Sequence, residues 1–136
     1  MLKVIFGKKG EGKTKRIIGM ANSGVDTLNG NAIFIDDDSR YMFDVSRQIR
    51  FIDASEYHID SPKMFYGFLC GLAAQDYDLE RIYIDGFLKI VHYPLEDLQE
   101  FFESANNMAE KFNLDIIISV CGDNTPDFIQ QYVITD

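Results

Sequence analysis

The sequence predicts an α/β fold, a three-layer sandwich with a mostly parallel central sheet. Three observations carry that prediction. Short apolar runs of strand length alternate with helix-length segments along the chain. The run Asp115 to Val120 is rich in isoleucine and apolar on both faces, the pattern of a buried parallel strand. No repeat, low-complexity tract or Pro/Gly-rich linker divides the 136 residues, a length that suits one domain around one hydrophobic core.

The elements follow in order. Leu2 to Phe6 is an apolar run ending at Gly7 and reads as a buried strand. Lys13 to Ser23 carries Ile17, Ile18 and Ala21 at helical spacing, with Gly24 placed to end the helix. Asn31 to Ile35 is a second strand that stops in Asp36-Asp37-Asp38, and Ile49 to Ile52 is a short third. Ser61-Pro62 supplies an N-cap and a proline at the first helical position. The helix it opens runs through Ala74, with Phe65, Phe68, Leu69 and Leu72 toward the core. Arg81 to Asp85 is a strand. Pro94, with Glu96 and Asp97 behind it, marks a helix start. Leu95, Leu98, Phe102, Ala105, Ala109 and Phe112 then form one stripe at steps of three and four. After the isoleucine strand, Gln130 to Thr135 is a last, marginal one.

Composition narrows the function. The net charge of −9 disfavours a general nucleic-acid binder, whose phosphate contacts need a basic face. The longest apolar run, Phe65 to Ala74, is broken by Gly67 and Gly71 and is too short to span a membrane. Lys8 and Lys9 interrupt the N-terminal apolar run before it reaches the length of a secretory signal. Cys70 and Cys121 stand in apolar contexts without CxxC spacing, as reduced, buried thiols of a cytoplasmic protein do. Against the acidic average, Lys8, Lys9, Lys13, Lys15 and Arg16 cluster within a few positions, opposed only by Glu11. Lysines at the positive end of a helix dipole imply a compensating anion.

The segment Gly7-Lys8-Lys9-Gly10-Glu11-Gly12-Lys13-Thr14 fits G-x-x-x-x-G-K-[ST] without departure, after a strand and before a helix. Glycines let successive backbone N–H groups turn inward around a phosphate, which then rests on the helix N-terminus. In such a loop the lysine reaches the β- and γ-phosphates and the hydroxyl takes a place on Mg²⁺.

On these residues the chain resembles the P-loop NTPase superfamily, and Ile82-Tyr83-Ile84-Asp85 resembles its Walker B strand. The resemblance implies a single P-loop domain over residues 1–136 that binds a nucleoside triphosphate through Gly7, Lys8, Lys9, Gly10, Glu11, Gly12, Lys13, Thr14 and Lys15. It implies Mg²⁺ held by Thr14 and Asp85, partly through water, and a catalytic set of Lys13, Asp85 and Asp36. ATP is the expected base and GTP the alternative, since neither an Asn-Lys-x-Asp guanine motif nor a distinctive adenine motif is present.

Branches of the superfamily differ in what they imply. Members with an added strand place a catalytic glutamate after the Walker B aspartate, whereas Gly86 stands here; Ile116 to Ser119 suits the added strand, with Ser119 as a polar tip. The loop is also similar to that of partitioning ATPases, in which the first lysine (here Lys8) reaches across a homodimer, and Asp36 and Asp38 follow at a comparable interval to that group's catalytic carboxylate. The chain is much shorter than those proteins. A nucleoside or nucleotide kinase needs lid arginines, for which Arg40, Arg47 and Arg50 are the candidates, without a visible lid. The chain further resembles short clostridial P-loop proteins often labelled twitching-motility ATPases, although His58 and His92 are isolated and nothing supports motor activity. Tyr41, Phe43 and Tyr57 fall in loops, where they suit contact with a base or a protein partner. The expected function is therefore Mg²⁺-dependent triphosphate binding with slow or partner-dependent hydrolysis, against a non-hydrolysing nucleotide-binding regulatory protein.

Overall fold

Five parallel strands make one sheet in the computed structural model, which describes residues 1–135: β1 (Leu2–Gly7), β2 (Asn31–Asp36), β3 (Arg50–Asp53), β4 (Leu79–Ile84) and β5 (Asp115–Cys121). Their order is β1-β5-β4-β2-β3, so β5 lies between the loop-bearing strand and β4. The helices are α1 (Lys13–Gly24), α2 (Pro62–Gln75), α3 (Phe87–Val91), α4 (Gln99–Lys111) and α5 (Asp127–Gln130).

Strand alternation splits the core in two. Ile5, Ile117, Tyr83 and Phe34 point to one face and meet Ile17 and Ala21 of α1. Val4, Ile116, Ile118, Ile82, Ile84, Ile33 and Ile35 point to the other and meet Phe65, Leu69, Phe87, Phe101, Phe102 and Ala105 of α2, α3 and α4. Each fully buried isoleucine contributes roughly 1.5–3 kcal/mol relative to exposure. The single core expected from chain length is thus two layers parted by the sheet. No helix of the described residues is long and apolar enough to cross a membrane.

Several boundaries differ from the pattern-based expectation. Gly24 does not cap α1 in the left-handed region; its φ is −75°, and the chain continues into a 3₁₀ turn at Val25–Thr27. Arg81 Nη1 binds the Gly24 carbonyl at 2.8 Å, which holds that end down. Pro94 does not open the long helix. It is extended and leads into a 3₁₀ turn at Leu95–Asp97, and α4 starts only at Gln99. Phe112 lies past the end of α4 and is exposed, while Phe101 and Met108 join the stripe instead. Gln130 to Thr135 is no strand: α5 takes its first residue, and the rest makes one parallel bridge, Val4 with Val133. The expected N-cap is present, with Ser61 Oγ accepting from the Met64 N–H at 3.2 Å.

Helix α3 is absent from the sequence pattern and matters most for the site. Phe87 anchors it, its ring centroid 5.0 Å from that of Phe101 and 5.6 Å, edge-on, from that of Phe102. Such pairs add about 0.5–1.5 kcal/mol each beyond burial. The turn at Asp85-Gly86 is fixed between β4 and this aromatic anchor.

Candidate functional site

The site grows from the carboxyl ends of the strands. Cα register pairs Ile35 with Ile84, Ile84 with Ile118 and Asp36 with Asp53. One residue further on, Asp36, Asp85 and Ser119 therefore stand side by side on the face that carries Phe34, Tyr83 and Ile117. That face belongs to α1, so the three polar ends meet the start of α1.

The loop from Gly7 to Lys13 arrives at the same place. Gly10 and Gly12 have φ of 85° and 81°, a left-handed backbone that glycine adopts without strain. Gly12 caps α1 without a side-chain hydrogen bond, and no acidic residue occupies the first turn. The N–H groups at the helix start are thus left to an external acceptor. Lys13 folds back so that Nζ donates to the Lys8 carbonyl at 2.6 Å, and Glu11 Oε1 accepts the Lys8 N–H.

The described residues bury four polar or charged side chains: Lys13 at 9% exposure, Asp36 at 2%, Asp85 at 6% and Ser119 at 5%. All four line one cleft of about 550 Å³, together with Lys9, Gly10, Gly12 and Thr14 of the loop. A groove of about 590 Å³ between the start of α2 and α4 holds none of them. Buried polar groups are costly and cluster where chemistry needs them.

Two carboxylates define the electrostatics. Ser119 Oγ donates to Asp85 Oδ1, and the Asp85 N–H donates to the Ile35 carbonyl at 2.9 Å, which orients the carboxylate. Asp36 Oδ1 accepts the Asp37 N–H at 2.8 Å, while its Oδ2 is buried without a partner. Burial first, then the neighbouring Asp37 and Asp85, push the Asp36 carboxyl up to about 8. The Asp85 carboxylate and the Thr14 hydroxyl in one cleft are oxygen donors of the kind that suit Mg²⁺.

Comparison with known proteins finds no matching family model and no similar curated protein.

The structure brings together most of the residues singled out from sequence. Lys9, Gly10, Gly12, Lys13, Thr14, Asp36, Asp85 and Ser119 line the cleft, joined by Arg40 and Tyr41. Gly7, Lys8 and Glu11 shape the loop behind it, and Lys15 is exposed on α1 outside the lining. Arg50 and Tyr57 line a different groove, beside β2 and β3, and Arg47 and Phe43 are exposed away from the cleft. His58 and His92 border a separate hollow beside Asp37. The thiols depart from expectation: Cys70 is half-buried and Cys121 is exposed, at the cleft, because β5 ends there.

Sequence reasoning missed Phe87, Leu88, Lys89 and Cys121 as lining residues. Cys121 was within reach of a period-two count from Ser119 along β5. Leu88 and Lys89 depend on α3, whose five residues give too short a pattern to read.

Proposed function

We propose that this chain binds a Mg²⁺–nucleoside triphosphate, ATP in the first instance, with slow or partner-dependent hydrolysis. One observation carries the reading: the four buried polar side chains, Lys13, Asp36, Asp85 and Ser119, converge on the cleft that the Gly7–Thr14 loop opens into. Phosphate oxygens would take the unsatisfied N–H groups at the start of α1 and the Lys13 ammonium. Thr14 and Asp85 would hold Mg²⁺, with Asp36 beside them. Bound there, the ion would neutralise phosphate charge. Ser119 keeps Asp85 oriented, and Arg40 and Lys89 at the rim supply further positive charge.

Gly86 leaves no carboxylate at the position after Asp85, which favours a binding or switching role over rapid turnover. A non-hydrolysing regulatory protein is the second reading, and turnover assays with and without candidate partners separate the two. The binding reading itself is tested by calorimetry with Mg²⁺ and a non-hydrolysable triphosphate. Lys13→Ala removes a charge-assisted contact worth roughly 1.5–3 kcal/mol and is expected to weaken binding at least about tenfold. Equal affinity for both proteins would overturn it.

A further inference from the structure

We propose that Asp36, Asp37 and Asp38 form a divalent-cation site of their own, one that fills without nucleotide. This inference goes beyond the nucleotide reading and does not rest on it. Each of the three residues offers an oxygen, and the three atoms lie within 4.8 Å of one another. The group sits where β2 ends, on the wall of the cleft.

The independent observation is Asp36 Oδ2. Asp36 is 2% exposed, and this atom is the one buried side-chain oxygen or nitrogen among the described residues that has no hydrogen-bond partner. A buried oxygen left without a partner carries the cost of its desolvation. A divalent cation relieves that cost and the mutual repulsion of adjacent carboxylates together. The neighbours are arranged for it. The Asp37 N–H engages Asp36 Oδ1, leaving Oδ2 as the free donor. Asp37 Oδ1 is packed against the backbone of Gly86, which limits where its carboxylate can turn. Asp38 is held through the Arg40 N–H at 2.9 Å and Arg40 Nη2 at 3.3 Å, the second an exposed pair that is weak enough to yield. Donors that are all oxygen select Mg²⁺, Mn²⁺ or Ca²⁺ over softer metals.

The test is a titration of Mn²⁺ into the full chain without nucleotide, with free Mn²⁺ read by electron paramagnetic resonance. Saturable binding to one site is expected, weakened at least tenfold by Asp36→Asn and by Asp38→Asn and unaltered by Thr14→Val. Asp38 is half-exposed, so its variant keeps the test alive if Asp36→Asn fails to fold, as circular dichroism would show. Absence of saturable binding would overturn the proposal. So would loss of binding in Thr14→Val with both aspartate variants intact, which would assign the cation to the phosphate loop. A parallel ATP titration in chelator separates this proposal from the nucleotide reading, because each is read with the other ligand absent.

Discussion

Asp37 fills the space that a side chain at Gly86 would need: a Cβ added to Gly86 would lie 2.2 Å from Asp37 Oδ1. The glycine also has φ of 66°, so two independent constraints act on one residue. A side chain at position 86 would meet the Asp37 carboxylate where it now stands.

Gly86→Ala is accordingly expected to destabilise the protein by more than the left-handed backbone alone would, about 1–2 kcal/mol. Adding Asp37→Gly should recover the steric part and leave the backbone part. Urea denaturation of the two variants measures both. Equal stability of the single and double variants would show that Asp37 moves aside without cost.

Ser119 and Asp85 give a second prediction. Ser119→Ala removes the donor that orients Asp85 Oδ1. Mg²⁺-dependent triphosphate affinity should then fall several-fold while affinity in chelator stays unchanged. Asp85→Asn should act in the same direction and more strongly. Calorimetry with and without Mg²⁺ reads the difference, and a loss equal in both conditions would place the effect on the loop instead of the metal.

Asp36 makes stability depend on pH in metal-free buffer. Its folded value is about 8 against an ordinary 3.8, because burial disfavours the charge. Between those values the folded chain holds a proton that the unfolded chain has released. The stability contributed by the neutral carboxyl is therefore full below about 3.8 and is lost as pH rises toward about 8. The thermal midpoint of Asp36→Asn relative to the parent should rise with pH across that window and level off above it. A difference independent of pH would contradict the burial argument.

Turnover is the fourth expectation. Hydrolysis needs a group that orients water and positive charge on the transferring phosphate, and a missing arginine finger alone is worth 10³–10⁵ in enzymes that use one. Arg40 is exposed at the cleft and already engaged with Asp38. Isolated monomer should release phosphate well below about one per second. Several turnovers per second from verified monomer would reveal a competent group within the chain.

Much of this arrangement was legible in the sequence, and the limits have physical causes. The loop, Asp85 and the apolar strands could be read because each is local: spacing, flanks and alternation suffice. Even the placement of β5 beside β1 was open to a motif argument through Ser119. The carboxylates of Asp36 and Asp85 were joined only through the resemblance, because their side-by-side placement depends on β2 pairing with β4 across intervening chain. Helix α3 was hidden in Phe87-Leu88-Lys89-Ile90-Val91, whose branched residues show no helical period over five positions. The late start of α4 was masked by Pro94 and two acidic residues, which mark a helix entrance equally well when a 3₁₀ turn precedes it.

The strand that leads into the Gly7–Lys13 loop has a ladder with one neighbour only. Leu2 pairs with Ile116 and Gly7 with Cys121, while its other edge makes the single bridge at Val133. Every partner of β1 thus lies at the far end of the chain. On a ribosome, the loop would leave the exit tunnel long before anything existed to hold its strand, and pairing over that sequence distance is slow to form. The cleft would be among the last parts of the molecule to assemble, so a ligand held there would reward only chains whose sheet has closed.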